Sequence, residues 1–327
     1  MAKNERRHRN GAHRPHHFDG LDRHTKMGVE RLIEIGDHAG FLALVAEIRP
    51  ELHRYCARMS GSVIDGEDLL QETLLKAFVA LPRLAEISHV KAWLFRLAHN
   101  QAVDRWRSFE QRTRTPLETA RDRPDESELG APADEALARE QALRAALSRF
   151  LQLPPLQRSC VILKDVLDHP LGEVAELLAT TVPAVQAALH RARRRLAELQ
   201  LAAPEPTPDL AMISPTVVRY AALFNARDWD ALRDLLADDV RLDVVARFSR
   251  RGRGDVGTYF GNYARMSDFR ATLGWLDHRE LLVLFRFNHI PPAYFIELRV
   301  EAGLVISIRD FHHVPYVVNE ARITFAP

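Results

Sequence analysis

Three things are scarce in this 327-residue chain: cysteine, long apolar runs and net charge. Its two cysteines, Cys56 and Cys160, lie far apart in apolar surroundings, which excludes a disulfide framework and any CxxC or Cys/His spacing for structural zinc. Both read as small buried hydrophobes, and so sparse a use of cysteine fits a reducing compartment. No run of about eighteen apolar residues occurs, so no membrane-spanning helix is expected. The opening MAKNERRHRNGAHRPHHFDG carries charge with no apolar core behind it, unlike a secretory signal. The expectation is a soluble, cytoplasmic protein that makes no membrane contact and needs no metal or cofactor. Lys and Arg number 45 against 44 for Asp and Glu, which excludes a globally basic chain; any preference for nucleic acid must come from local clustering.

The clustering is present. Positive charge gathers from Lys3 to Lys26, from Arg105 to Arg114 and at Arg191 to Arg195, whereas Glu118 to Glu140 is mainly acidic. The length suggests two or three domains, and changes of texture divide the chain. Residues 1–25 are basic and rich in histidine and read as a disordered tail, its irregular histidine spacing suiting solvation better than a metal. Apolar residues recur at helical spacing over 26–112, an acidic linker with prolines follows over 113–134, and helical periodicity returns over 135–201. A second Pro-rich linker spans 202–213. Residues 214–327 begin helically and then alternate with period two, as in AYFIELRVE and LVISIRDF, with EAG as a hairpin connection. The expected fold class is multidomain: two all-α helical domains, the second with a helix-turn-helix, then an α+β domain whose helices cover one face of a curved, mainly antiparallel sheet.

Three stretches carry chemistry. In DGEDLLQETLLKAF, Leu70, Leu74, Ala77, Phe78 and Leu81 form one apolar stripe, while Asp65, Glu67 and Asp68 gather off it near the helix start, with Glu72 further in. Carboxylates there complement the helix dipole, worth up to about 1 kcal/mol each, or form an acidic docking face for a basic partner. In HVKAWLFRLAHNQAVDRWRS the stripe is Val90, Trp93, Leu94, Leu97 and Ala98, with Lys91, Arg96, Arg105 and Arg107 outside it and Trp106 among them. Aromatics beside arginines stack unpaired bases, and equally make ordinary core contacts with a cation–π component. LGEVAELLATTVPAVQAALHRARRRL reads as helix, turn, helix, with Thr181 as cap and Pro183 in the first turn; such a second helix enters the major groove.

In order and spacing, DGEDLLQETLLKAF followed by AWLFRLAHNQAVDRWR resembles region 2 of the extracytoplasmic-function sigma factors of the sigma-70 superfamily. LPPLQRSCVILKDVLDHPLGEVAELLATTVPAVQAALHRARRRL is similar to region 4 of the same factors. The resemblance implies a transcription initiation factor that is not an enzyme and that works with core RNA polymerase and promoter DNA. Carried onto this sequence, Asp65, Glu67, Asp68, Gln71 and Glu72 would bind the β′ clamp. Pro82, Arg83 and His89 would capture a flipped −10 base, and Lys91, Asn100, Arg105, Trp106 and Arg107 would hold the opened strand. Thr181, Gln186, His190, Arg191, Arg193 and Arg194 would meet the −35 element while the same module docks on the β flap. Gln186 can read adenine; Ala187 and Ala188 offer only apolar contact, so Arg191, Arg193 and Arg194 are assigned mainly to phosphates. Two modules on a flexible linker also suit promoter elements roughly 70 Å apart.

The carboxy-terminal third, with RYAALFNARDWDALRDLLADDVRLDVV and GRGDVGTYFGNYA, resembles the SnoaL-like members of the NTF2-like fold. That resemblance implies an open cone able to hold a small molecule, with Asp243, His289, Asp310 and His312 as candidate ligand-cavity residues and His278 and His313 near them. These are either acid–base groups or polar strand ends. The role expected of this domain is docking on the helical modules, biasing a closed form against a promoter-competent one, with a small-molecule ligand as a further partner. Two other readings stay open: a helix-turn-helix regulator that binds duplex DNA without polymerase, and an isomerase- or cyclase-like enzyme with a helical appendage.

Overall fold

A computed structural model describes residues 38–80, 89–113, 135–201, 213–266, 268–287 and 291–325. The basic tail, nearly all of both linkers, and Leu81, Pro82, Arg83 and His289 lie outside the described residues. The first helices are α1 (His38–Ser60), α2 (Val63–Ala80) and α3 (Val90–Thr113). Gly61, at φ 77°, supplies the left-handed turn that folds α2 back on α1. The two helices approach so closely that a Cβ at Gly66 would lie 2.4 Å from the Cα of Ala57. The expected stripe of α2 is only part of its buried surface. Leu70 and Ala77 are buried and Leu74 packs against the core, with Val63 and Glu67 buried on the same line, but Phe78 is exposed, whereas Ile64 and Leu69 are buried to either side of that stripe. A helix with such a pattern is covered from two sides.

The second helical segment comprises α4 (Glu135–Arg144), α5 (Leu147–Phe150), α6 (Pro155–Val161) continuing as a π turn over Ile162–Val166, α7 (Leu171–Leu177) and α8 (Val182–Leu201). The turn between α7 and α8 is closed at Thr181, whose carbonyl accepts from the Val185 amide at 3.0 Å and whose Oγ1 faces the Ala184 amide at 3.4 Å. The two helical segments, expected to stand apart on a flexible linker, instead share one apolar cluster in which Leu52, Tyr55 and Leu94 join Val161, Ile162, Val174 and Leu189. Polar groups pin that junction. Arg158 is 1% exposed and donates to the carbonyls of Met59 (2.7 Å), Leu151 (3.0 Å) and Leu153 (2.9 Å). Its burial without a carboxylate pulls the guanidinium down to about 10. Tyr55 Oη and Ser159 Oγ are 3.0 Å apart. The His169 ring sits between Glu51 of α1 and Glu173 of α7, 3.0 Å from each, and Lys91 reaches Glu51 at 2.8 Å.

The remaining elements are α9 (Pro215–Ala226), α10 (Trp229–Asp234), β1 (Leu236–Val244), β2 (Phe248–Arg251), α11 (Arg253–Ala264), β3 (Phe269–Leu276), β4 (Arg279–Arg286), β5 (Tyr294–Glu301), β6 (Leu304–Asp310), α12 (Tyr316–Glu320) and β7 (Thr324–Phe325). The strands form one sheet in the order β2-β1-β6-β5-β4-β3-β7, antiparallel except for the parallel pair β1–β6. The EAG hairpin turns on Ala302 (φ 49°) and Gly303 (φ 80°), the positive pair that a two-residue turn requires. Helices α9 to α11 cover one face, packing on Val240, Leu242, Ile296 and Ile308. The opposite face has a different cover. Leu281, Val283, Phe295 and Phe311, with Val317 of α12, pack on Ala57 of α1 and Val63 and Ile64 of α2. The two-sided burial of α2 is thereby explained.

Two outcomes follow from this packing. Gly66→Ala gains helix propensity of about 1 kcal/mol but forces α1 and α2 apart, and overpacking of roughly 1–3 kcal/mol should exceed that gain, so calorimetry should find a lower unfolding midpoint. For His169, burial alone would depress the imidazole, but its hydrogen bonds to Glu173 and Glu51 outweigh burial and hold it at about 9. With the folded value above the unfolded one, its stabilisation is complete below about pH 6.5 and is lost as pH rises through about 9, an effect of at most ~3 kcal/mol. Denaturant titrations from pH 6.5 to 9.5 should show this decline in the wild type and a shallower one in His169→Gln.

Candidate functional site

Helical geometry sets Asp65, Asp68 and Glu72 on one line of α2 at steps of three and four, with Glu67 and Gln71 on the next. Each acidic group has a partner. Arg279 of β4 reaches Asp65 at 2.5 Å, and Arg309 of β6 forks onto Asp68. Glu67 is fully buried, held by Arg49 at 2.5 Å and by the Tyr316 hydroxyl of α12 at 2.8 Å, and Gln71 Nε2 donates to it at 3.2 Å. Glu72 pairs with Arg105 of α3 at 2.6 Å. Farther along α12, Glu320 accepts from Arg54 at 2.7 Å and Arg58 at 2.8 Å. The start of α2 is capped from the sheet: Asp277, in the β3–β4 turn, accepts the Val63 amide at 3.1 Å.

The balance of charge in this contact is uneven. Arg279 and Arg309 also serve the buried Glu297, at 3.1 and 3.4 Å, and Arg309 Nε lies 3.6 Å from Asp243. Two guanidiniums therefore face four carboxylates: Asp65, Asp68, Asp243 and Glu297. Burial raises the Asp68 and Asp243 carboxyls, with Arg309 only partly opposing it. None of Arg49, Arg279, Arg309 or Glu320 was singled out by the sequence motifs. A signal for two of them existed, since Arg279 is in period-two phase with buried Leu281 and Val283, and Arg309 with buried Phe311.

The residues expected at nucleic acid are distributed over two helices. On α3, Lys91 is engaged by Glu51 and Arg105 by Glu72, Asn100 and Arg107 are exposed, and Trp106 is half-buried, as is His89 just before the helix. At the start of α8 the cap Thr181 is exposed; along the helix Gln186 and Arg194 are exposed and His190 and Arg191 half-buried. Ala188 is fully buried, so it presents no methyl for base contact. Arg193 is committed inside the protein, its Nε and Nη2 forking onto buried Asp165 at 2.9 and 2.6 Å; a phosphate contact would have to break that fork. No periodic pattern points to this pair, because Asp165 lies in the π turn, off the helical period.

Of the expected ligand-cavity residues that are described, Asp310 and His312 lie together and Asp243 on the other face of the sheet. Asp310 is buried on the helix-covered side, its Oδ2 accepting from the hydroxyls of Tyr259 (2.6 Å) and Tyr263 (2.8 Å) and its Oδ1 from the His312 amide (2.8 Å); Tyr294 Oη in turn donates to Tyr263 at 2.9 Å. Burial raises this carboxyl, and the two hydroxyls oppose the rise. Asp243 pairs in register with Arg309, one residue before Asp310, and so belongs to the opposite face. The His312 ring packs edge-on to Tyr294 at 4.5 Å, and His278 and His313 are exposed. Among the described residues no three His, Cys, Asp or Glu side chains form a metal cage, and no helix is long and apolar enough to cross a membrane.

Comparison with known proteins places these elements. Residues 44–113 match the model of sigma-70 region 2, residues 143–196 that of sigma-70 region 4, and residues 217–311 that of the SnoaL-like domain. The ECF RNA polymerase sigma factor SigG of Mycobacterium tuberculosis is 34% identical over 219 residues, covering 60% of this chain and 58% of that protein. The chain thus spans little more than half the length of this relative. SigD of Mycobacterium bovis, also an ECF RNA polymerase sigma factor, is 30% identical over 174 residues, covering 51% of this chain and 80% of its own. The crystal structure of Mycobacterium tuberculosis SigJ aligns with 82% of this chain and 95% of that one at 21% identity and a TM-score of 0.32. By its two sigma-70 regions and these relatives, the chain belongs to the ECF RNA polymerase sigma factors, with a SnoaL-like domain at its carboxy-terminal end.

Proposed function

We propose that this chain directs promoter recognition and transcription initiation by core RNA polymerase, and that its SnoaL-like domain holds it in a closed form. The observation that carries the reading is the occupation of the acidic face of α2. Asp65, Glu67 and Asp68, the residues assigned to the β′ clamp, are already paired with Arg279, Arg49 with Tyr316, and Arg309. One surface cannot serve two basic partners at once, so polymerase binding and domain docking exclude each other.

The shared core of the two helical modules supports the same reading. Modules that bury Tyr55 and Leu94 against Val161 and Leu189 cannot also reach promoter elements roughly 70 Å apart. Initiation then requires two separations, of the sheet from α2 and of the modules from each other. On the opened form, α3 with Asn100, Trp106 and Arg107 would hold the melted −10 strand. Helix α8 would enter the −35 major groove with Gln186 forward and Arg194 at phosphate, while its module docks on the β flap. In this reading the protein catalyses no reaction of its own; Asp310 is a buried hydrogen-bond acceptor, not an acid–base group facing a substrate.

The test measures affinity for purified core polymerase by fluorescence anisotropy. Replacing Arg279 and Arg309 together with glutamine removes two cations from the docked face without touching the polymerase-binding carboxylates, and should tighten binding about tenfold, equal to ~1.4 kcal/mol. Reversal of Glu67, Asp68 and Glu72 to lysine should abolish binding in both backgrounds. Unchanged affinity in the Arg279/Arg309 variant would refute closure by the carboxy-terminal domain, and retained binding after charge reversal would refute the acidic docking face.

A further inference from the structure

Beside the docked face lies an open pocket of about 420 Å³ whose lining includes Arg241, Arg250, Arg251, Arg309 and two serines, Ser249 and Ser307, together with one carboxylate, Asp243. Its register is unusual. Arg241 on β1 stands directly opposite Arg251 on β2, and like charges in directly opposed positions repel. Arg241 makes no ion pair among the described residues, Arg250 stacks over Phe248 at 4.9 Å, and Arg251 has only an exposed partner, Asp239, at 3.5 Å. One strand step further in, Asp243 and Arg309 pair across β1 and β6. The pocket therefore offers two guanidiniums on one face, Arg241 and Arg251, with little compensation, and two serine residues; its one carboxylate, Asp243, is paired with Arg309, the arginine that holds Asp68, whereas Arg250, in register with Leu242, belongs to the other face.

We infer that this pocket binds a small phosphate-bearing molecule, and that the ligand loosens the docked domain by competing with Asp68 for Arg309. Planar guanidinium forks and hydroxyls are the donors that phosphate oxygens take, and the volume lies in the range of small-ligand sites. A nucleic-acid strand fits less well: Asp238 and Asp239 are exposed on the same rim at 94% and 73%, and would repel a continuous run of phosphates. The effect on docking follows from the charge balance, and so rests on the closed form proposed above. With Arg309 turned toward a ligand, Arg279 is left to face Asp65, Asp68, Asp243 and Glu297. The undocked protein has Arg309 free of Asp68, so it binds the anion more tightly, which is the differential affinity that a shift in population requires. By reciprocity, polymerase bound to α2 strengthens ligand binding.

The experiment uses the full chain, tripolyphosphate as probe at constant ionic strength, and two readouts. Calorimetric titration should give saturable binding that weakens tenfold or more in Arg241→Gln/Arg251→Gln, whose side chains make no contact with α2. Amide exchange at Val63 should quicken when the probe is added: a first-turn helix amide has no intrahelical acceptor, and its partner here is Asp277 of the sheet. Absence of binding, equal binding by wild type and variant, or binding without faster exchange at Val63 would each overturn the inference. So would short duplex DNA showing the arginine dependence that tripolyphosphate lacks. Failure of the closed form itself reads out separately, as Val63 exchange that is the same in wild type and Arg309→Gln with no probe present.

Discussion

A row of carboxylates can be buried on a helix only against cations, and α2 places Asp65, Glu67 and Asp68 where three arginines from three other elements converge. The remaining features of the closed form depend on that match. Glu67 has no solvent exposure, so Arg49 and Tyr316 must stay in place; Tyr316 lies on α12, and α12 brings Glu320 onto Arg54 and Arg58. The same convergence brings Phe295 and Phe311 of the sheet side against Val63 and Ile64. Charge sets the register, and a modest apolar patch supplies the adhesion.

Such a contact is suited to being reversed. Buried ion pairs gain little net stability, because the loss of hydration offsets most of the attraction; they penalise wrong partners more than they strengthen the right one. Here the penalty is heightened, since two sheet arginines face four carboxylates and burial raises both Asp68 and Asp243. The buried apolar contribution of the helical modules comes from Ala57, Val63 and Ile64, with half-buried Leu147 of α5 packed against them. A basic surface that neutralises α2 more completely than Arg279 and Arg309 do would therefore displace the domain. The junction between the modules is more demanding, because Arg158 and Tyr55 are fully buried there and hydrogen-bonded across it.

Much of this was legible in the sequence. The period of α2 and α3, the Thr181 cap, the EAG hairpin and the change from helical to alternating texture all reflect local rules that act within a few residues. The family followed from motif order. What was hidden depends on contacts between segments distant in sequence: Glu67 reads as an exposed acid beside a helix dipole until Arg49 and Tyr316, the latter 249 residues away, are brought to it. Arg193 reads as a phosphate ligand until the π turn brings Asp165 beneath it. Asp243 and Asp310 read as one site because the SnoaL-like resemblance implies a cavity lined by Asp and His; they do fall on adjacent strands, but alternation separates them to opposite faces. The linker, read as a tether holding the modules apart, conveys nothing about their shared core.

The most direct test of closure is a distance. Spin labels at Lys76→Cys on α2 and Arg299→Cys on β5, both exposed, leave Cys56 and Cys160 buried and unlabelled. Pulsed electron resonance of the free chain should give one short-distance population, and core polymerase should replace it with a longer one. A short distance that persists in the stoichiometric polymerase complex would contradict the account, because α2 would then be serving the polymerase and the SnoaL-like domain together.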